Sequence, residues 1–247
     1  MKLTVVGSGD AFGSGGRLQT CFHVSHPGGQ FLIDCGATAL IGMQRVGLDP
    51  NDVPLIFISH LHGDHFSGLV WWILHAQYVG KRVSPLRIVG PEGLAERFHA
   101  ASEALFPSAK PRDFKFEVTF EVYDPTQHGL HGGIGVDVCE VMHPCGAAPY
   151  ALRLTVADKV IAFSGDTEWV DGLIDISKDA DLFVCECYAH ETKTPFHMSW
   201  AEIRTKLPHL TAQKILLTHM NERMLSCGGD VDDPRVALAH DGLIVEL

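Results

Sequence analysis

Between positions 60 and 65 the chain places three imidazoles and a carboxylate, His60-x-His62-x-Asp64-His65, directly after the apolar run Leu55-Ile56-Phe57-Ile58. Four lone-pair donors buried together without a cation would repel one another or demand extensive hydrogen bonding. Together they suit a metal ion, because neutral imidazole and carboxylate bind Zn²⁺ and also Mn²⁺ or Fe²⁺. His60 and His62 lie two apart and can point the same way. Asp64 and His65 follow Gly63, where the backbone can bend, and reach a second point a few ångströms off. A lone histidine is usually a satisfied polar group, and this chain has 15. The spacing here is too specific for that reading.

The elements that must position these side chains follow from apolar runs and turn chemistry. A run bounded by turn residues reads as a buried strand, and α/β architectures place their sites on the loops leaving the strands' carboxyl ends. Strands are expected at 2–7, 21–25, 30–34, 55–58, 86–89, 114–123, 136–141, 150–156, 159–163, 182–187 and 214–218. Helices are expected at 37–46, 66–78, from 90–93 to 106, and at 169–178. Another runs to Leu207 behind the capping box Ser199-x-x-Glu202. His128 and His131 fall in a stretch, 125–135, that reads as loop. The Gly-rich segment Gly7–Arg17 lacks the Gly-Lys-Ser/Thr ending of a phosphate-binding loop, so it reads as a mobile loop bordering the site. His60, His143, Asp166 and His219 each follow an apolar run at its carboxyl end. One shared sheet edge would bring all four together, making five histidines and two aspartates with no cysteine. Such a set is too large for one tetrahedral ion and suits two ions sharing a carboxylate.

The 247 residues are 46% hydrophobic and 20% charged, enough to bury a sizeable core. No linker, repeat or low-complexity segment divides them, which predicts one domain over 1–247. The net charge of −11 argues against general affinity for nucleic-acid backbones or anionic membranes. The amino terminus runs straight into a strand pattern, and no segment matches a signal peptide or a membrane span. The seven cysteines are odd in number and form no CxxC pair, as expected of reduced thiols in a cytoplasmic protein. Cys145, two residues past His143, reads as a pocket-wall thiol. Trp71 and Trp72 suit the core better than a homodimer face, which stays open.

On these residues the chain resembles the metallo-β-lactamase fold hydrolases. The matching elements are His60-x-His62-x-Asp64-His65, His143, Asp166 in Ser-Gly-Asp-Thr and His219 in Leu-Thr-His. They stand in the family's order along nearly the whole chain, with Asp34 at its early strand-end aspartate. The resemblance implies an α/β fold, a four-layer αββα sandwich, with the site along one edge of its two sheets. It implies one ion on His60, His62 and His143, a second on Asp64, His65 and His219, and Asp166 bridging them. The ions would be two Zn²⁺, with Mn²⁺ or Fe²⁺ as alternatives. Two such ions would share a hydroxide and polarise the group it attacks, which makes Asp64 part of the catalytic apparatus as well as a ligand.

A carboxylate at Asp166, where many antibiotic-hydrolysing members carry cysteine, points away from β-lactams. His62, in place of the glutamate of di-iron members, points away from redox chemistry. Arg17 behind the Gly-rich start, the Ser-Gly-Asp-Thr element and His197 look most like the phosphodiesterase side, near ribonuclease Z. There a histidine at the place of His197 lies over the substrate phosphate and can protonate the leaving oxygen. Glu186 is a candidate to orient it, and Asp34 either orients a ligand histidine or is a plain turn residue. Only a short loop and one hairpin join His143 to Asp166, where tRNA processors carry a long arm. The expected substrate is therefore a small phosphodiester, such as a cyclic nucleotide or nucleotide-like compound, and not tRNA. Alternatives are an ester, lactone or thioester hydrolase on the same metals, or a metal-binding sensor or interaction module with vestigial activity.

Overall fold

The computed structural model describes residues 1–107 and 114–247. In the amino-terminal half, β1 (Lys2–Gly7), β2 (Cys21–His26) and β3 (Gly29–Ile33) pair antiparallel. Helix α1 (Ala39–Arg45) then leads to β4 (Leu55–Phe57), which joins β3 in parallel. A short α2 (Gly63–Phe66) and the longer α3 (Gly68–Tyr78) precede β5 (Leu86–Gly90), and α4 (Leu94–Leu105) precedes β6 (Val118–Val122).

The second half builds its own sheet. Strands β7 (Gly129–His131), β8 (Ile134–Glu140), β9 (Tyr150–Val156) and β10 (Lys159–Phe163) form an antiparallel meander. After α5 (Gly172–Ile176), the strands β11 (Leu182–Glu186), β12 (Ile215–Thr218) and β13 (Val236–Leu238) add in parallel. Helix α6 (Trp200–Lys206) lies between β11 and β12, and α7 (Glu222–Ser226) follows β12. The last strand, β14 (Ile244–Glu246), crosses back to pair with β1, so each sheet has seven strands.

Period-2 alternation explains the layering, because one face of each strand looks into a core between the sheets. Phe22, Phe31 and Phe57 from the first sheet meet Leu152, Leu154 and Phe163 from the second. The rings of Phe22 and Phe163 pack edge to face with centroids 5.6 Å apart. On the outer face of the first sheet, Met43, Trp72 and Phe98 of α1, α3 and α4 close a second core. Leu173, Trp200 and Met224 of α5, α6 and α7 close a third over the other sheet. Each large side chain so buried contributes roughly 1.5–3 kcal/mol. The result is the αββα sandwich expected from the sequence, with Trp72 in the core and Trp71 packed against it.

Three local expectations need correcting. Pairing begins at Val118, not 114, because Phe114 and Phe116 turn their alternating rings into the helical core instead of joining a ladder. Residues 129–131 form β7 rather than loop, and His131 there bonds Glu121 at 2.6 Å. The helix expected at 169–178 covers only Gly172–Ile176. All seven cysteines are free. Among the described residues, no helix is long and apolar enough to cross a membrane.

Candidate metal centre

Strands β4, β8, β10, β11 and β12 all end at one edge of the sandwich, and the loops leaving them carry the chemistry. His60, His62 and His143 converge from the loops after β4 and β8, with ring centroids 4.7–5.0 Å apart. His143 Nε2 lies 2.9 Å from His62 Nδ1. Beside them stand Asp64, His65, Asp166 and His219. The Nε2 atoms of His65 and His219 lie 3.3 and 3.2 Å from Asp64 Oδ2, and 3.3 and 3.2 Å from the oxygens of Asp166. Asp166 Oδ2 also faces the first cluster, 4.0 Å from His60 Nε2 and 3.8 Å from His143 Nε2. All seven candidate ligands therefore meet, with Asp166 between two groups.

Close backbone approach makes this possible. A side chain at Gly36 would meet the Asp64 carbonyl oxygen at 2.3 Å, so only glycine lets the β3–α1 loop seat the histidine-rich turn. Gly165 has φ +59, a left-handed conformation that aims the next residue, Asp166, inward. Asp34 and His219 adopt positive φ as well, at 57° and 59°. The His219 N–H donates to the Ser8 carbonyl at 3.1 Å.

Ring orientation is set by the groups behind the ligands. Asp34 is fully buried and accepts from His65 Nδ1 at 2.6 Å, from Ser59 N at 2.7 Å and from Ser59 Oγ at 2.8 Å. The Ser59 hydroxyl proton is thus committed to Asp34, and its oxygen accepts from His60 Nδ1 at 3.1 Å. Asp34 thereby fixes the tautomer of two histidines, one of them through Ser59. His143 Nδ1 donates to the Phe196 carbonyl at 2.9 Å. Each of these rings consequently turns Nε2 inward, and on His60 and His143 it is a lone pair. The Nε2 atom of His60 is buried and lacks a hydrogen-bond partner among the described residues. Inward lone pairs with no proton donor to meet are what a cation would satisfy, so the residues fit divalent metal.

Burial is the leading influence on every group here, yet the two clusters respond differently. Desolvation holds His60 and His62 below the usual histidine range and pushes His143 down to about 4. His219 is buried too, but the Asp166 carboxylate overrides that and pushes it up to about 9. His65 rises for the same reason, next to Asp166, Asp64 and Asp34. Burial alone would raise both aspartates, but His65 and His219 hold Asp64 and Asp166 ionised.

His197 stands at the rim, its ring 5.0 Å from that of His143 and stacked 5.7 Å from that of His219. Its Nδ1 bonds Glu186, whose other oxygen accepts from Met198 N at 2.8 Å. Glu186 thus orients His197 at the end of β11. Burial opposes protonation of His197, but the Glu186 hydrogen bond prevails and raises its pKa. The cavity above holds about 460 Å³ and is walled also by Phe12 and Tyr188. Sequence reasoning passed over both. Tyr188 had a signal, standing two residues past Glu186, whereas Phe12 is 84% exposed and carries no pattern. Cys145 is buried, its thiol turned to the Ala147 carbonyl at 3.2 Å and outside the ligand set.

A probable metallo-hydrolase of Bacillus subtilis, YhfI, is 26% identical over 227 residues, covering 89% of this chain and 87% of its own. The crystal structure of YhfI superposes with a TM-score of 0.82 at 21% identity, covering 99% of this chain and 98% of that one. A ribonuclease Z of Clostridium acetobutylicum is 24% identical over 273 residues, covering 90% and 88%. A diphosphatase from the PhnP family shares the fold at TM-score 0.78 and 19% identity, covering 100% and 97%. The family described as anti-Pycsar protein Apyc1 matches residues 1–241. The chain therefore belongs to the anti-Pycsar protein Apyc1 family, on the metallo-β-lactamase fold, and is a metal-dependent hydrolase.

Proposed function

We propose that the protein is a binuclear metal-dependent phosphodiesterase acting on a small phosphodiester, such as a cyclic nucleotide or nucleotide-like compound. The observation that carries this reading is Asp166 between two ligand clusters, with an oriented imidazole, His197, at their rim. His60, His62 and His143 would hold one divalent ion and Asp64, His65 and His219 the other, with Asp166 shared. Zn²⁺ suits these donors best, and Mn²⁺ or Fe²⁺ are compatible. Such a pair supplies Lewis acidity towards phosphoryl oxygens and lowers the pKa of water.

The chain's own residues supply the rest. His197, its pKa raised by Glu186, can keep a proton on the imidazole and give it to a leaving alkoxide. Cavity size supports a nucleotide-sized substrate, since about 460 Å³ lies within the usual range for small ligands. The direct β9–β10 hairpin between His143 and Asp166, and the net charge of −11, weigh against tRNA. Free thiols throughout suit a reducing, cytoplasmic setting.

The test is turnover of bis(p-nitrophenyl) phosphate by zinc- and manganese-loaded protein. Hydrolysis well above that of His62→Ala is expected. Equal rates from the two proteins would overturn the reading.

A further inference from the structure

Away from the centre described above, three more donors of metal-ligand type meet. His190 Nε2 lies 3.1 Å from Asp230 Oδ2, and the Cys227 thiol joins them, all three donor atoms lying within 4.8 Å of one another. We propose that His190, Cys227 and Asp230 form a separate, structural site for a borderline divalent ion such as Zn²⁺.

Imidazole, thiolate and carboxylate together make a zinc donor set. Zinc bonds of about 2.0–2.3 Å with tetrahedral angles put donors roughly 3.3–3.6 Å apart, so little closure is needed. A bare imidazole–carboxylate hydrogen bond would account for two of these groups. The thiol at the third corner makes the set a cation site.

Both sides of the site are held before any ion arrives. The His190 carbonyl accepts from Ala201 N at 2.9 Å, in the first turn of α6. The Cys227 carbonyl accepts from Asp230 N at 2.9 Å, closing the turn after α7. The imidazole is 11% exposed and the carboxylate 63% exposed, so the ion would sit near the surface with water as its fourth ligand. Binding needs His190 neutral and Cys227 ionised, and the thiol proton passes to solvent as the metal–sulfur bond forms. The ion would join the loop that carries His197, seven residues past His190, to the segment that follows His219, eight residues before Cys227. It would act as a staple between two of the loops that build the hydrolytic centre.

The hydrolytic centre contains no thiolate ligand, which gives a readout independent of activity. Metal-free full-length protein is titrated with Co²⁺ and followed for the near-ultraviolet thiolate-to-cobalt charge-transfer band. Wild type and Cys145→Ser should develop the band, and Cys227→Ser should lose it. Zinc content by mass spectrometry should fall by one equivalent in Cys227→Ser and in Asp230→Ala. Absence of the band in folded wild type, its persistence in Cys227→Ser, or unchanged zinc content in both variants would overturn the proposal.

Discussion

The two candidate ligand clusters stand on one sheet edge, the first half-open at His62 and the second buried throughout, and solve the problem of metal-free folding in opposite ways. His60, His62 and His143 have no carboxylate among them, so burial prevails and the rings remain neutral. Asp64, His65, Asp166 and His219 form an ion network in which two imidazolium groups answer two carboxylates, with Asp34 behind. One cluster is preorganised as lone pairs waiting for charge, and the other is already compensated by its own protons. Metal would therefore enter the first by replacing solvent and the second by displacing protons.

The strongest way to break this comparison is at the residue both sides share. Asp166→Ala removes the carboxylate that faces all four neighbouring imidazoles and leaves His65 and His219 without their main counter-charge. Turnover should fall by more than ~10³-fold, beyond the 10–100-fold usual for losing a group that merely orients a ligand. Metal content measured on the same preparation should drop for both ions. Loss confined to one ion would show that Asp166 serves a single cluster.

Next in size is His197→Ala, which leaves both clusters intact. Loss of a general acid costs about 10²–10⁴-fold when the leaving group is a poor one. The drop should be near that range for an alkyl phosphodiester and small for a p-nitrophenyl ester, whose leaving group needs no proton. Equal losses on both substrates would reduce His197 to a binding group. Glu186→Gln should follow the same pattern more weakly, because Met198 N still has an oxygen to meet.

Asp34→Asn sharpens the comparison from behind. The carboxylate reaches His65 directly and His60 through Ser59, one histidine in each cluster. Metal affinity should weaken by about 10–100-fold at both positions. Weakening at only the position served by His65 would mean that the Ser59 relay is not what sets the His60 tautomer.

Much of this was legible in the sequence because the candidate ligands sit at the ends of apolar runs. His60, His143, Asp166 and His219 each follow a strand, and strands that share a direction must share an edge. The resemblance supplied the pairing into two clusters, which spacing alone left open. Less was legible where structure depends on partners far away in the chain. Strand β14 has three residues and exists because β1 offers an unpaired edge, and no local periodicity announces it. Phe114 and Phe116 alternate like a strand but pack on helices, where the period of two means nothing. Asp34 read equally well as a turn residue until burial and three donors decided the matter. The His190, Cys227 and Asp230 group draws on two segments with no shared motif, so only folding brings it into view.

The finest readout, the number of protons released as each ion binds, tests the comparison most directly. In metal-free protein at pH 7, His143, pushed down to about 4, carries no proton to lose. His219, pushed up to about 9, is protonated, and His65, raised well above its ordinary value, is protonated with it. An ion entering among the three imidazoles should release almost no protons, and one entering beside Asp64 should release close to two. Since those protons compete with metal, affinity at the second position should rise with pH up to about 9, by at most ~10-fold per pH unit for each proton displaced. At the first position it should stay nearly flat between pH 6 and pH 8, because His60, His62 and His143 are all held below the ordinary histidine value. Calorimetric titration in two buffers of different ionisation enthalpy counts the protons for each binding event. His62→Ala identifies which event belongs to the imidazole cluster. Equal proton release from the two events would mean that the carboxylates do not hold His65 and His219 charged, and the contrast between the clusters would disappear.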